Sequence, residues 1–101
     1  MSLGPDARER IGAAVGAAIT GTRAVAGGDI NDAFAVELAD GSRGFLKLRR
    51  DAPLGMFAAE ARGLEFLREA AALRVPEVRA VGDGAGDEAF LLLEWIRSEE
   101  H

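Results

Sequence analysis

Cysteine is absent from the 101 residues, and the single histidine is the last residue, His101. Without thiols neither a disulfide framework nor a thiolate metal site is possible, and without an internal imidazole the Ser-His-Asp and Cys-His arrangements are excluded. Long apolar runs are missing as well: none approaches the ~18 residues that a membrane span needs. The first ten residues mix acids and bases, unlike a targeting segment, so a soluble, cytoplasmic protein with no membrane partner is expected. Positive charge is in the minority, 12 basic against 17 acidic residues for a net charge of −5, and only Lys47, Arg49 and Arg50 cluster. Nucleic-acid recognition usually begins with a basic face, so nucleic acid is not an expected partner. No Walker A sequence occurs, which excludes the P-loop class.

What is present is apolar material, 49% of the residues, enough for one compact domain with a modest core. From Pro5 to Ile19 the residues Ile11, Val15, Ala18 and Ile19 recur at helical spacing, with Pro5 early and Gly21 placed to stop a helix of about four turns. Thr22 to Ala26 is a short candidate strand, followed by Gly27-Gly28-Asp29-Ile30-Asn31. Phe34, Val36 and Leu38 alternate with Ala33, Ala35 and Glu37 as in a half-buried strand. Asp40-Gly41 is a hairpin turn signal that feeds a strand from Arg43 to Arg49. After Pro53 a helix to Ala72 is predicted, with Phe57, Glu60, Leu64, Leu67 and Ala71 on one face, ended by Val75-Pro76. Strands near Val78 to Val81 and Ala89 to Trp95 complete the chain, and Phe90-Leu91-Leu92-Leu93 looks buried on both faces. The expected fold is α+β: an antiparallel sheet of about five strands, one helix packed on it and an N-terminal helix against it.

Three features stand in a telling order: a glycine-rich turn between the first two strands, a lysine inside the third, and a glutamate in the following helix. That is the layout of a protein-kinase-like small lobe. Glycines let backbone approach ATP phosphates, a strand lysine reaches two of them, and a helix glutamate fixes the lysine. Taken alone, Lys47 reads as a lysine reaching to water past apolar neighbours. Glu60 is more informative. It shares the face of Phe57, Leu64 and Leu67, where an ionised carboxylate is costly unpaired. Its helical neighbours Met56, Phe57, Gly63 and Leu64 include no base, so a partner must come from another element, and Lys47 is the candidate. The glycine pair is weak by itself, and gains weight only from its place upstream of Lys47. Gly82, Gly84 and Gly86 fall between two strands and read as a hairpin turn without a phosphate role.

At these residues the chain resembles the fructosamine kinase family, similar in fold to the aminoglycoside and choline kinases. The stretches that carry the resemblance are Gly27-Gly28-Asp29-Ile30-Asn31, Phe45-Leu46-Lys47, Met56 through Leu64 with Glu60 inside it, Val75-Pro76-Glu77-Val78, and Phe90-Leu91-Leu92-Leu93-Glu94. Together they span Gly27 to Ile96. The resemblance implies ATP-dependent phosphorylation of ketoamine sugars on glycated proteins, with magnesium as cofactor of the complete enzyme. It implies a phosphate-contacting role for Lys47 and a lysine-orienting role for Glu60. It adds a nucleotide-facing turn at Gly27, Gly28, Asp29 and Asn31, and an adenine-binding crossover at Glu94, Trp95 and Ile96. The family's base aspartate, asparagine and metal-binding aspartate have no counterpart here, so an inactive nucleotide-binding lobe is expected. Two other readings remain open: a self-associating module with the shape of a kinase lobe, and a lobe of an aminoglycoside or small-alcohol phosphotransferase. An apolar patch near Trp95 and Ile96 would drive the first of these into homo-oligomers.

Overall fold

A computed structural model describes residues 3–27, 31–50, 52–70, 75–82 and 88–95. The elements run α1 (Pro5–Val15), β1 (Ile19–Gly27), β2 (Asn31–Leu38), β3 (Arg43–Arg49), α2 (Met56–Ala70), β4 (Val78–Gly82) and β5 (Ala89–Glu94). The strands form one five-stranded sheet in the order β1-β2-β3-β5-β4, and every neighbouring pair is antiparallel. The architecture is the expected α+β sheet with two helices.

The first helix is shorter than its apolar spacing predicts. Gly16 adopts φ 85° and closes the helix through its N–H to the Gly12 carbonyl, a left-handed cap that glycine takes without steric penalty. Ile19 therefore opens β1, and the helix buries Ala7, Ile11 and Gly12, with Val15 packed at the core's edge. Beyond the cap the candidate strand Thr22 to Ala26 grows to nine residues. The strand Arg43 to Arg49 has the predicted bounds, because Gly41, at φ 87°, supplies the turn ahead of it.

The second helix begins at Met56 and not at Pro53, since Gly55 at φ 81° breaks the backbone path just before it. It is anchored by Phe57 and Ala61, while every residue from Glu65 to Ala70 is exposed. Leu67, expected on the inner face, is 50% exposed. Only the first half of the helix lies over the sheet, so the inner stripe ends near Leu64.

The two helices cover opposite faces. On one, Ile11 and Ala7 of α1 join Phe34, Val36, Leu46, Leu48, Phe90 and Leu92. On the other, Phe57 and Ala61 of α2 join Ala89, Leu91 and Leu93, with Phe45 and Val78 at the margin. Residues Ala89 to Leu93 of β5 are all buried, as the run Phe90 to Leu93 implies. A strand apolar on both sides belongs in the sheet's interior, which is why β5 inserts between β3 and β4.

Candidate functional site

Period-two alternation splits β3 between the faces. Gly44, Leu46 and Leu48 are buried toward α1, whereas Phe45, Lys47 and Arg49 point toward α2 and are half-buried. Since β3 is the middle strand, Lys47 stands near the centre of that face, opposite Ala33 of β2 and Leu91 of β5. Ala33 leaves the β2 side of the lysine low and open.

Glu60 lies one turn beyond the Phe57 anchor of α2. Its carboxylate accepts a hydrogen bond from Lys47, Nζ to Oε2 at 2.6 Å. The side chains remain 39% and 36% exposed, so the pair is accessible to a ligand from one side. Its contribution to stability is correspondingly small, ~0–1 kcal/mol, as for other solvent-screened pairs. The partner that Glu60 lacked within its own helix is thus the strand lysine.

The glycine turn joins β1 to β2. Gly27 pairs with Asp32, and Asn31 pairs with Arg49, so the turn emerges at the end of the sheet where β3 finishes. Gly28 and Asp29 lie outside the described residues. At the opposite end of β5, Glu94 donates its amide to the Glu77 carbonyl at 2.8 Å and accepts the Glu77 amide on its carboxylate at 3.2 Å. Both its N–H and its carboxylate are engaged by that neighbour. Trp95 stands beside Phe45 with ring centroids 6.4 Å apart and planes at 41°, an aromatic pair of the tilted kind. Ile96 lies outside the described residues.

Two further basic groups belong to this neighbourhood. Arg50 Nη1 lies 3.6 Å from Asp32 Oδ2, and that carboxylate is almost fully buried. Arg49 donates from Nη1 to the Met56 sulfur, and its Nε is buried without a hydrogen-bond partner. The sequence signal for both was the run Lys47, Arg49, Arg50, the chain's one basic cluster. Among the described residues no group of three or more His, Cys, Asp or Glu side chains is placed to hold a metal ion. No described helix is long and apolar enough to cross a membrane.

Comparison with known proteins identifies the family and the fold. The family model described as fructosamine kinase matches residues 6–101. A Synechocystis protein described as a probable ketoamine kinase is 40% identical over 75 residues, which cover 73% of this chain and 24% of the relative. A crystal structure described as a candidate fructosamine-3-kinase from Thermobifida fusca superposes with a TM-score of 0.72 at 30% identity, over 89% of this chain and 31% of that one. The chain therefore spans about a quarter to a third of the length of these relatives, and its fold is that of a kinase-like N-terminal lobe.

Proposed function

This chain belongs to the fructosamine kinase family, and on that premise we propose that it is the nucleotide-binding lobe of an ATP-dependent phosphotransferase acting on ketoamine sugars. The carrying observation is the 2.6 Å contact between Lys47 on the central strand and Glu60 on the packed helix. A carboxylate held against the ammonium keeps it extended along the sheet face, where two phosphate oxygens of ATP would find a fixed cation. The turn at Gly27, Gly28, Asp29 and Asn31 then covers the phosphates, since backbone amides and small residues permit close approach.

Adenine is assigned to the other end of the face, at the crossover Glu94, Trp95 and Ile96. With the Glu94 amide already donating to Glu77, the base would be read by peptide groups that follow it. Phe45 and Trp95 supply an apolar wall at that end. Magnesium, when bound, would neutralise charge building on the phosphates. The described residues offer it no cluster of three or more His, Cys, Asp or Glu side chains. Lys47 fits anionic phosphates by charge and by exposure, and Glu60 fits by orienting it.

In this reading the base that accepts the sugar hydroxyl proton lies outside these 101 residues, so the chain binds nucleotide without transferring phosphate. The decisive measurement is thermal stability with and without magnesium-ATP. Ligand at 100 times its Kd stabilises by about 2.7 kcal/mol, which at roughly 4–8 °C per kcal/mol raises the melting temperature by more than about 10 °C in a domain of this size. Lys47→Met is expected to abolish the shift; an undiminished shift in that variant counts against the assignment.

A second reading, self-association, draws on the outer end of α2, where Phe66 and Leu67 are 69% and 50% exposed. It predicts a dimer by sedimentation and no stabilisation by ATP.

A further inference from the structure

Arg49 carries, among the described residues, the one buried side-chain nitrogen or oxygen without a hydrogen-bond partner, its Nε. It lies on the same face of β3 as Lys47, one register step nearer the glycine turn, opposite Asn31 where β2 begins. Its hydrogen-bond partner among the described residues is poor: Nη1 donates to the Met56 sulfur at 2.9 Å, and a thioether is a weak acceptor. Its Nε is buried and bonds to nothing. The neighbouring cations are engaged, Lys47 by Glu60 and Arg50 by Asp32. No carboxylate pairs with Arg49 among the described residues.

A guanidinium left this way is costly to an unliganded protein, because a buried donor gives up water and receives nothing in return. Its donors form a planar fork suited to two oxygens of one anion, a geometry that an ammonium lacks. Position completes the case. Along β3 the sequence of cations is Lys47, then Arg49, and they progress toward the end of the sheet from which the glycine turn emerges. A polyphosphate lying along that line would meet the lysine first and the arginine at its outer end.

We propose that Arg49 is a second anion-binding residue of this face, which exchanges the Met56 sulfur for the terminal oxygens of a polyphosphate whose inner phosphates contact Lys47. The inference rests on the nucleotide reading given above and extends it to a residue outside the lysine-glutamate pair. It has a consequence that a structural role would not share. Removing a cation without a carboxylate partner leaves the free protein as stable as before or more stable, while weakening its hold on phosphate.

The test compares wild type with Arg49→Met and Arg49→Lys, using inorganic tripolyphosphate, magnesium-ATP and adenosine as probes in titration calorimetry, with melting of the unliganded chains alongside. Arg49→Met is expected to melt no lower than wild type and to bind tripolyphosphate and ATP about tenfold more weakly, the usual loss for one charge-assisted hydrogen bond. Adenosine affinity stays unchanged, and Arg49→Lys falls between. Equal tripolyphosphate affinity in wild type and Arg49→Met overturns the proposal, as does a marked drop in the variant's unliganded melting temperature. If wild type binds tripolyphosphate and loses it with Arg49, yet ignores adenosine, the anion site stands and the nucleotide reading fails. If wild type binds none of the probes, both fail.

Discussion

On the α1 face of the sheet, Leu46 and Leu48 of β3 are sealed under Ile11 and against Phe34, Phe90 and Leu92. One residue out of step on the same strand, Phe45, Lys47 and Arg49 meet a helix that covers them only in part. The first face has what a core needs, a cluster of buried apolar side chains, with the Asp32 carboxylate and the Arg10 guanidinium, 6.0 Å from the Phe90 ring centre, at its edge. The second carries the charges, the open alanines of β2 and the aromatic pair. Alternation along one strand thus separates a sealed apolar face from a charged, half-open one, and the helix that is anchored through half its length is the one that holds the carboxylate paired with Lys47.

That division is most sharply tested by adjacent residues. Leu46 is fully buried, so Leu46→Ala is expected to cost about 2–5 kcal/mol in a urea melt, from lost transfer energy and the cavity left behind. Lys47→Met, its neighbour, is expected to stay within about 1 kcal/mol of wild type, since a part-exposed ion pair contributes little. Comparable losses at the two positions would mean that both faces are core, and the comparison would break.

A smaller effect is expected at Gly44, on the sealed face. A Cβ there would stand 2.7 Å from Leu92 Cδ1 and 3.1 Å from the Leu93 carbonyl oxygen. The leucine can turn aside, but the backbone oxygen cannot, so Gly44→Ala is expected to cost about 1–3 kcal/mol, in the range of overpacked sites. Stability equal to wild type in thermal melts would show that β3 and β5 have slack that the packing of this face does not suggest.

Much of this was legible in the residues. The alternation of Phe34, Val36 and Leu38, the Asp40-Gly41 turn and the bounds of β3 follow from local rules, and each rule acts within a few residues. The pairing of Glu60 with Lys47 was legible for a different reason: a carboxylate on an apolar stripe, with no base in reach along its helix, requires a distant cation. What escaped depended on geometry between elements. Ala18 and Ile19 continue the helical spacing of α1, and only the left-handed conformation at Gly16 assigns Ile19 to a strand. Leu67 continues the stripe of α2, but the sheet ends beneath it. Arg49 was visible as part of a basic run, yet its lack of a carboxylate partner among the described residues depends on what surrounds it in space.

The smallest expected effect comes from the hairpin between β2 and β3. Asp40 accepts hydrogen bonds from the Ser42 hydroxyl and amide, and Arg79 stands 3.7 Å from its carboxylate. The Ser42 hydroxyl bond foremost, then the Ser42 amide bond, with the Arg79 charge a lesser aid, hold its pKa below the ordinary 3.8. A carboxyl depressed in the folded state adds stability that is present above its unfolded pKa and is lost as pH falls through the folded value. Wild type should therefore lose a little stability on acidification below about pH 4 that Asp40→Asn does not lose. The carboxylate is solvent-exposed, so the difference between the two melting curves is small. It should also shrink in high salt for the part owed to Arg79 and persist for the part owed to Ser42. Melting temperatures from pH 7 to pH 2.5 at low and high ionic strength check both statements, and a wild type and variant that lose stability in parallel would locate the acid-sensitive groups elsewhere.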